Sequence, residues 1–313
     1  MPSPKHRAPG RRSGESAVIE AAWLYYHEGC NQSEIAARLG LSRASVVNYL
    51  QTAREQGIVR ISLDSGAFTT HRLAAALCDR FALTAAYVVP DGGLDAEGRF
   101  HRVVRGAAEW LPELLHPGQR LGLAWGRTMY SLAEATARRH VPDLTILQLV
   151  GSMATPYGFT SEACSTRLAG RLGAGCVNLH APAILSNADL AAALRAEPII
   201  ARQLAALERV HHFLFSVGTV TPESHIVGSG VATLEELEWY VAHGAAAVLC
   251  GRFIDAAGQA IPGPLDARMI GIDLARLVAP KMGLMVTPGA DKTDASRAAI
   301  RGGYVTHLVT STS

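Results

Sequence analysis

Between residues 16 and 60, apolar side chains recur every three or four positions, which is the spacing of one face of an α-helix. The pattern predicts three short helices, over about 17–28, 32–39 and 43–56, and then a strand over 58–63. Asn31 and Glu34 have the spacing of a capping box for the second helix, and Ser42 is a cap for the third. The predicted inner faces are Val18, Ala21, Ala22 and Tyr25 in the first helix, Ile35, Ala36 and Leu39 in the second, and Val46, Val47 and Leu50 in the third.

From about residue 67 the pattern changes to short apolar runs, each followed by a turn and a helical stretch. Strands rich in β-branched residues that alternate with helices predict a parallel sheet flanked by helices. The predicted strands are 85–89, 120–124, 145–150, 176–180, 212–217, 246–250, 284–287 and 305–309, and the predicted helices lie near 97–115, 128–140, 161–173, 187–208, 233–243 and 292–301. The expected fold class is α/β, with a small all-α domain over 16–63 and a larger Rossmann-like parallel-sheet domain over 67–313.

The positive charge of the chain is concentrated near its start. The formal net charge is +2, but the first 60 residues hold eight Lys or Arg against five Asp or Glu, while the remainder holds 21 against 22. This distribution is typical of a basic module joined to a nearly neutral body. Residues 1–15 are rich in proline, glycine and basic residues, so we expect a disordered basic arm there.

The cysteines and the hydropathy pattern indicate the compartment. The five cysteines form no CxxC pair and have no histidine at zinc spacing, which predicts buried, reduced thiols and no metal site. The start of the chain lacks the apolar run of a signal peptide, and no window approaches the ~18–20 apolar residues of a membrane span. We therefore expect a cytoplasmic protein without a membrane partner and without a cofactor.

The segment 32-QSEIAARLGLSRASVVNYLQ-51 has the spacing of a helix-turn-helix. A small residue, Ala36, lies where the second helix would cross the first, and Gly40 suits the left-handed turn. The N-terminal half of the second helix would then reach base edges in the major groove, and operator DNA is the expected partner. The predicted DNA-binding residues are Gln32, Ser42, Arg43, Ser45, Asn48 and Tyr49. A trihelical bundle used for protein contacts is the alternative.

Five glycine-containing loops follow predicted strands of the larger domain: 122-GLAWGRTMYSLAE-134, 150-VGSMATPYG-158, 216-SVGTVTPES-224, 250-CGRFIDAAG-258 and 287-TPGADKTDAS-296. Loops at the carboxyl ends of parallel strands share one edge of the sheet, and helix N-termini there attract anions. We expect Lys292 to neutralise a phosphate, with Thr128 and Ser152 as hydroxyl donors. Asp255 is an expected acceptor for sugar hydroxyls, whereas Arg167 fits a phosphate contact and a plain surface position equally well.

Six motifs in this order resemble the SorC family of bacterial transcription regulators. They are the helix-turn-helix, 53-AREQGIVRI-61, 122-GLAWGRTM-129, the 151-GS-152 loop, 251-GRFIDAAG-258 and 289-GADKTDASRAAIRGGYVTHLVT-310. The resemblance runs from about residue 17 to the end. It implies an effector domain similar to sugar-phosphate isomerases and deaminases, a phosphorylated sugar or polyol as effector, and homo-dimers or homo-tetramers. The effector-binding residues that it implies are Gly126, Arg127, Thr128, Gly151, Ser152, Gly218, Asp255 and Lys292.

The chain departs from the family pattern at two places. Members often carry arginine where Asn48 stands, which affects the expected base preference. Members also usually continue past the last strand with an acidic pair and a closing helix, whereas this sequence ends at 310-TSTS-313, so a shortened C-terminus is expected.

Three functions are compatible with these motifs. The leading hypothesis is a DNA-binding regulator of a carbohydrate or polyol catabolic operon, controlled by a phosphorylated sugar or polyol and without catalytic residues. The alternative is a sugar-phosphate isomerase or deaminase whose N-terminal helices serve oligomerisation, but the loops offer Asp255 without an obvious acid–base partner. A DNA-binding architectural protein without a ligand would leave the polar loops unexplained.

Overall fold

A computed structural model describes residues 14–59, 61, 63–69, 71–153 and 158–312. The chain divides into two compact units, one ending at Leu63 and the other beginning at Asp64. Most of the predicted basic arm, residues 1–13, lies outside the described residues. Its last two residues, 14 and 15, form the first turn of a helix, so the structured chain begins slightly before the predicted boundary.

The first unit contains three helices, α1 (Gly14–Tyr26), α2 (Gln32–Leu39) and α3 (Arg43–Glu55). The capping box of α2 is confirmed, because the Asn31 side chain accepts from the first-turn backbone and Glu34 accepts from the Asn31 N–H. Gly40 ends α2 with a φ of 64°, a left-handed conformation that glycine adopts without strain. The Ser42 hydroxyl accepts from the Ser45 N–H and begins α3. These local signals fix the sharp turn between α2 and α3.

The core of the first unit differs from the predicted inner faces at two positions. Tyr25 is 36% exposed and Val47 is 41% exposed, while Leu24 and Ala53 are buried instead. The prediction was wrong at Tyr25 because α1 is apolar on almost every side, so its periodicity does not define one inward face. The predicted strand over 58–63 is not found among the described residues of this stretch, and residues 60 and 62 lie outside them.

The second unit alternates helices and strands. Its helices are α4 (Ser65–Thr69), α5 (Arg72–Phe81), α6 (Ala96–Leu114), α7 (Arg127–Ala135), α8 (Ser161–Leu172), α9 (Ala188–Ala196), α10 (Pro198–Leu207), α11 (His225–Gly228), α12 (Leu234–Ala242) and α13 (Thr293–Arg301). Its strands are β1 (Ala85–Val89), β2 (Arg120–Leu123), β3 (Thr145–Gln148), β4 (Gly175–Val177), β5 (His212–Phe215), β6 (Ala245–Leu249), β7 (Arg252–Asp255), β8 (Met282–Val286) and β9 (His307–Ser311).

Seven of these strands form one parallel sheet in the order β1-β9-β8-β5-β2-β3-β4. One apolar cluster includes Phe213, Phe215 and Leu149, and a second includes Leu121, Leu214 and Leu284. Because neighbouring residues of β5 contribute to different clusters, the sheet is buried on both faces. The α/β class is confirmed, and β2 and β5, from which two of the predicted loops emerge, lie side by side in the sheet.

Two predicted elements are wrong in detail. The strand predicted at 246–250 does not join the parallel sheet; β6 pairs with β7 in an antiparallel hairpin. Its turn is Cys250–Gly251, where φ is 50° and 81°, the pair of left-handed residues that a tight hairpin requires. The single helix predicted over 187–208 is two helices, because Pro198 cannot continue α9 and instead starts α10.

The cysteines agree only partly with the prediction of buried thiols. Cys30, Cys164 and Cys250 are buried, whereas Cys78 is half-buried and Cys176 is exposed, and all five are free thiols. Among the described residues no helix is long and apolar enough to cross a membrane. No group of three or more histidine, cysteine or acidic residues in the described parts of the chain could hold a metal ion.

Candidate functional site

A pocket lies at the carboxyl ends of β2 and β5 and is closed on one side by the β6–β7 hairpin. It brings together five of the predicted effector-binding residues, Gly126, Arg127, Thr128, Gly218 and Lys292. Trp125, His225 and Cys250 complete part of its wall. Residues from four of the five predicted loops therefore meet at one site, and the described part of the 150–158 loop contributes none of the lining residues.

The pocket carries positive charge and no carboxylate among its lining residues. Burial lowers the pKa of Lys292, and the Arg127 guanidinium lowers it further, although Asp291 opposes the shift. Burial also lowers the pKa of His225, with Lys292 and Arg127 as additional causes. Cations that destabilise one another in a partly desolvated space are relieved by a bound anion, so the pocket is suited to a negatively charged ligand.

Helices α7, α11 and α13 begin at this pocket, and none of the three has a side-chain cap among the described residues. The cap position of α7 is Gly126, with a φ of 116°, and that of α13 is Lys292; no described side chain caps the first turn of either helix. By contrast, α5, α6, α8, α9 and α12 each begin with a side chain that accepts from the first-turn backbone. Free backbone N–H groups at a helix start, together with the helix dipole, favour an anion.

Two hydroxyl groups of the pocket were missed by sequence reasoning. Ser216 and Ser224 line it, and their buried Oγ atoms have no hydrogen-bond partner among the described residues. Ser224 is only 6% exposed, so its hydroxyl is cut off from bulk water. A buried polar group without a partner is unfavourable by about 1–3 kcal/mol, which a ligand oxygen would relieve. Their positions, directly after β5 and directly before α11, were the available sequence signal.

Gly218 shapes the pocket rather than donating to it. Its backbone N–H and carbonyl are both paired with Val248 of the hairpin, at 2.9 and 3.0 Å. A Cβ atom at this position would lie 3.3 Å from the Val248 Cβ. Glycine therefore lets the hairpin approach the end of β5 and close this side of the pocket.

The other predicted effector-binding residues do not line this pocket. The N–H groups of Gly151 and Ser152 donate to the Ile270 and Ala181 carbonyls, so neither is available to a ligand. Arg167 pairs with Glu134 and stacks over the Tyr130 ring. The Asp255 carboxylate accepts from the N–H groups of Ala257 and Gln259, because the loop predicted there is the β7 strand and its following turn.

The outer face of α3 carries the predicted base-reading residues. Arg43 and Asn48 are exposed, and the Arg43 Nε donates to Gln32 Oε1 at 3.2 Å, which joins the starts of α3 and α2. Val47 is exposed on the same face, one turn after Arg43, and is a candidate for contact with a thymine methyl group. The sequence assigned Val47 to the core because its apolar character was taken as a sign of burial.

The remaining predicted DNA-binding residues have structural partners. The hydroxyls of Ser42 and Ser45 are hydrogen-bonded to each other at 2.9 Å. Ser42 is the N-cap of α3, and Ser45 lies in its first turn. Tyr49 is half-buried and packs against the apolar core of the unit. Its ring therefore packs on the core side of α3, whereas Arg43, Val47 and Asn48 are exposed.

Comparison with known proteins identifies relatives over nearly the whole chain. The family model described as "Putative sugar-binding domain" matches residues 66–313. The chain is 36% identical over 300 residues to the "Uncharacterized transcriptional regulator YjhU" of Escherichia coli K12, which covers 94% of this chain and 92% of that protein. It is 30% identical over 303 residues to the transcriptional regulator LsrR of the same strain, and the match covers 95% of this chain and 92% of that protein. It is 29% identical over 299 residues to the deoxyribonucleoside regulator of Bacillus subtilis, and this match covers 95% of each protein.

Solved structures share the fold. The full-length sorbitol operon regulator SorC of Klebsiella pneumoniae superposes with a TM-score of 0.77 at 24% identity, covering 96% of this chain and 97% of that one. A DeoR family transcriptional regulator of Listeria monocytogenes gives a TM-score of 0.72 at 22% identity over 76% of this chain and 95% of its own. The first of these matches extends over both units, while the second covers about three quarters of the chain.

Proposed function

Because the chain belongs to the SorC family of sugar-responsive transcription regulators, we propose that it represses or activates a carbohydrate or polyol operon in response to a phosphorylated sugar or polyol. Its relatives are regulators rather than enzymes, so the isomerase or deaminase alternative is not supported. The effector would bind with its phosphate at the start of α7. The observation that carries this proposal is the meeting of an uncapped helix start, Lys292 and two unpaired hydroxyls in one pocket.

The phosphate and the sugar have separate candidate contacts. The backbone at the start of α7, Thr128 and Lys292 suit the phosphate, because N–H groups and an ammonium group are charge-assisted donors to its oxygens. Ser216, Ser224 and His225 can each exchange hydrogen bonds with hydroxyl or carbonyl groups of the carbon chain. The wall formed by Trp125 and Val248 would pack against its C–H groups. This division accounts for both the charge and the polarity of the pocket.

Operator recognition would use α3 in the major groove. A single helix-turn-helix contacts few bases, so specific affinity normally requires two copies on two half-sites. A homo-dimer or homo-tetramer is therefore part of the proposal. A cytoplasmic location is also part of it, since bacterial operator DNA lies in the cytoplasm.

A thermal-shift screen against sugar phosphates, polyol phosphates and the corresponding unphosphorylated compounds tests the effector class. A ligand at a hundredfold excess over its dissociation constant adds about 2.7 kcal/mol to the free energy of unfolding. We expect such stabilisation from a phosphorylated compound and none from its unphosphorylated parent. Equal stabilisation by the parent compound would contradict the phosphate assignment. A mobility-shift experiment with the upstream DNA of the gene, repeated with the stabilising compound, then measures whether operator binding responds.

Affinity for sulfate, a dianion at every relevant pH, is expected to rise by up to about tenfold as the pH falls from about 8 to about 6. In the free pocket the pKa of His225 lies below its ordinary value of 6.5, chiefly through burial and then through Lys292 and Arg127. A bound dianion raises this pKa, so binding takes up a proton as the pH falls through the raised value. The gain in sulfate affinity is complete once the pH is below the pKa that His225 has in the absence of sulfate. Isothermal titration calorimetry across this pH range measures how the sulfate affinity changes with pH.

The variant His225→Gln is the control for this pH dependence. Glutamine keeps a hydrogen-bonding side chain but does not titrate, so the slope should become nearly flat while binding at about pH 8 is retained. An unchanged slope in the variant would assign the proton uptake to another group.

A further inference from the structure

Helix α6 has one end at the proposed effector pocket and the other end at the segment that follows the DNA-reading unit. We infer that this helix transmits effector binding: an anion in the pocket takes Arg127 away from Glu97, and α6 carries the change to Ser65. The inference rests on the proposed effector site and adds how occupation of that site is communicated. It assigns roles to Glu97 and Glu113, neither of which lines the pocket.

At the pocket end, Arg127 is held by two residues from the start of α6. It forms an ion pair with Glu97, and its guanidinium carbon lies 4.1 Å from the centroid of the Phe100 ring. The pKa of Glu97 is lowered, chiefly by the hydrogen bond from Arg127, and Glu97 also lies 3.0 Å from the Nε2 atom of His101. Glu97 is thus the anionic partner of Arg127 at the edge of the pocket.

The ion pair is suited to replacement by a ligand. Both side chains are about half exposed, at 46% for Arg127 and 55% for Glu97, and exposed pairs contribute little to stability. A phosphate bound at the uncapped start of α7 would meet free backbone N–H groups and Lys292 as well as Arg127. Because the phosphate has the larger set of partners, Arg127 is expected to turn from Glu97 towards the ligand.

At its other end, α6 contacts the first element after the DNA-reading unit. Glu113 accepts a hydrogen bond of 2.6 Å from the Ser65 hydroxyl at the start of α4. Phe68 of α4 stacks on Tyr87 at 4.9 Å between ring centroids, and Tyr87 lies 5.5 Å from Trp110 of α6. The short helix α4 is therefore attached to the last turns of α6 by a hydrogen bond and by an aromatic row, directly after Leu63, where the first unit ends.

The middle of α6 connects the end at Glu97 to the end at Glu113. Glu97 and Glu113 are sixteen residues apart, which corresponds to about 24 Å along a helix. Val103, Val104, Ala107 and Leu111 are buried between them in one apolar cluster, so the helix packs against the sheet over this length, and Pro112 lies in its last turn directly before Glu113. Close-packed interfaces shift between discrete arrangements rather than deforming gradually, so a change at one end reaches the other.

Hydrogen–deuterium exchange of the full chain tests this coupling, with inorganic phosphate as the probe. We expect saturating phosphate to slow exchange at residues 126–129 and to change exchange at residues 65–69 by roughly fivefold. The variant Glu97→Gln should show the changed exchange at 65–69 without phosphate, because the ion pair is already absent. Adding phosphate to this variant should then protect residues 126–129 without a further change at residues 65–69.

The variant Glu134→Gln is the matched control. Glu134 of α7 forms a comparable exposed ion pair with Arg167 of α8, and this pair does not involve α6. The variant should therefore behave like the unmodified chain. A second variant, Glu113→Gln, should keep phosphate protection at residues 126–129 and lose the response at residues 65–69.

The outcomes separate the inference from the proposed function. Protection at residues 126–129 with no change at residues 65–69, in both the unmodified chain and Glu97→Gln, overturns the transmission through α6 and leaves the effector site standing. No phosphate protection at residues 126–129 overturns the anion site and this inference together. A response at residues 65–69 that is identical in Glu113→Gln and the unmodified chain also overturns the role of α6.

Discussion

Replacing Lys292 with methionine is expected to weaken effector binding by about 100-fold while leaving operator binding in the absence of effector unchanged. The Lys292 side chain lines the pocket, and the described lining residues include no carboxylate that could neutralise it. A charge-assisted hydrogen bond in a partly desolvated site contributes about 1.5–3 kcal/mol, and the electrostatic attraction to a dianion adds to it. Methionine is one atom shorter than lysine but keeps most of the unbranched apolar stem while removing the charge and the donors.

The effect of Lys292→Met on stability should have the opposite sign to its effect on binding. Burial lowers the pKa of Lys292, so the unliganded fold is destabilised by holding this group in its charged form. The unliganded variant should therefore unfold at the same temperature as the unmodified chain or at a higher one. Thermal unfolding with and without the effector identified by the screen measures both changes in one experiment.

Lys281→Met is the matched control for this prediction. Lys281 is exposed and directly precedes β8, at the end of the sheet opposite the pocket. Its replacement should alter neither effector affinity nor the unfolding temperature by a comparable amount. Equal loss of affinity in both variants would indicate a general effect of net charge, and an unchanged affinity in Lys292→Met would remove Lys292 from the phosphate site.

Replacing Arg43 with alanine is expected to weaken binding to a two-half-site operator by about 100-fold or more. Arg43 is exposed in the first turn of α3, and the hydrogen bond to Gln32 holds its guanidinium beside the start of α2. A bidentate contact to guanine contributes about 1–3 kcal/mol of discrimination, and the loss occurs once in each half-site. The unfolding temperature should change little, because the side chain makes no contact with the core.

Two measurements distinguish base reading by Arg43 from general attraction to DNA. Arg54→Ala removes an exposed positive charge from the last turn of the same helix and should reduce binding much less. Fluorescence anisotropy with operator and with unrelated DNA at the same salt concentration gives the specificity ratio. A selective loss on the operator supports base reading, whereas equal losses on both DNAs would make Arg43 a phosphate contact.

The fold was predictable where local chemistry and long-range packing agree. The caps at Asn31 and Ser42 and the left-handed Gly40 define the helix-turn-helix without reference to the rest of the chain. The strands of the parallel sheet are buried on both faces, and their continuous apolar runs identify them. Val47 was misassigned because an exposed apolar residue at helical spacing has the same sequence pattern as a core residue.

The pocket was predictable only in outline. The glycine loops and Lys292 were recognisable because parallel strands bring their carboxyl ends together. The position of Asp255 could not be predicted, because the turn at Cys250–Gly251 folds the following residues back as a strand and Asp255 accepts hydrogen bonds in the next turn. Ser216 and Ser224 could not be selected from the other serines, because the absence of a partner for a buried hydroxyl depends on the packing around it.

The uncapped start of α7 has a consequence for how the proposed effector contributes to the fold. Most long helices of the second unit carry their own N-cap, and such a side chain contributes about 1 kcal/mol to stability. At α7 a glycine stands where that side chain would be, so under the proposed function the phosphate of the effector would supply the missing hydrogen-bond acceptor. The effector would then act as a removable N-cap, and occupation of the site would be coupled to the stability of α7.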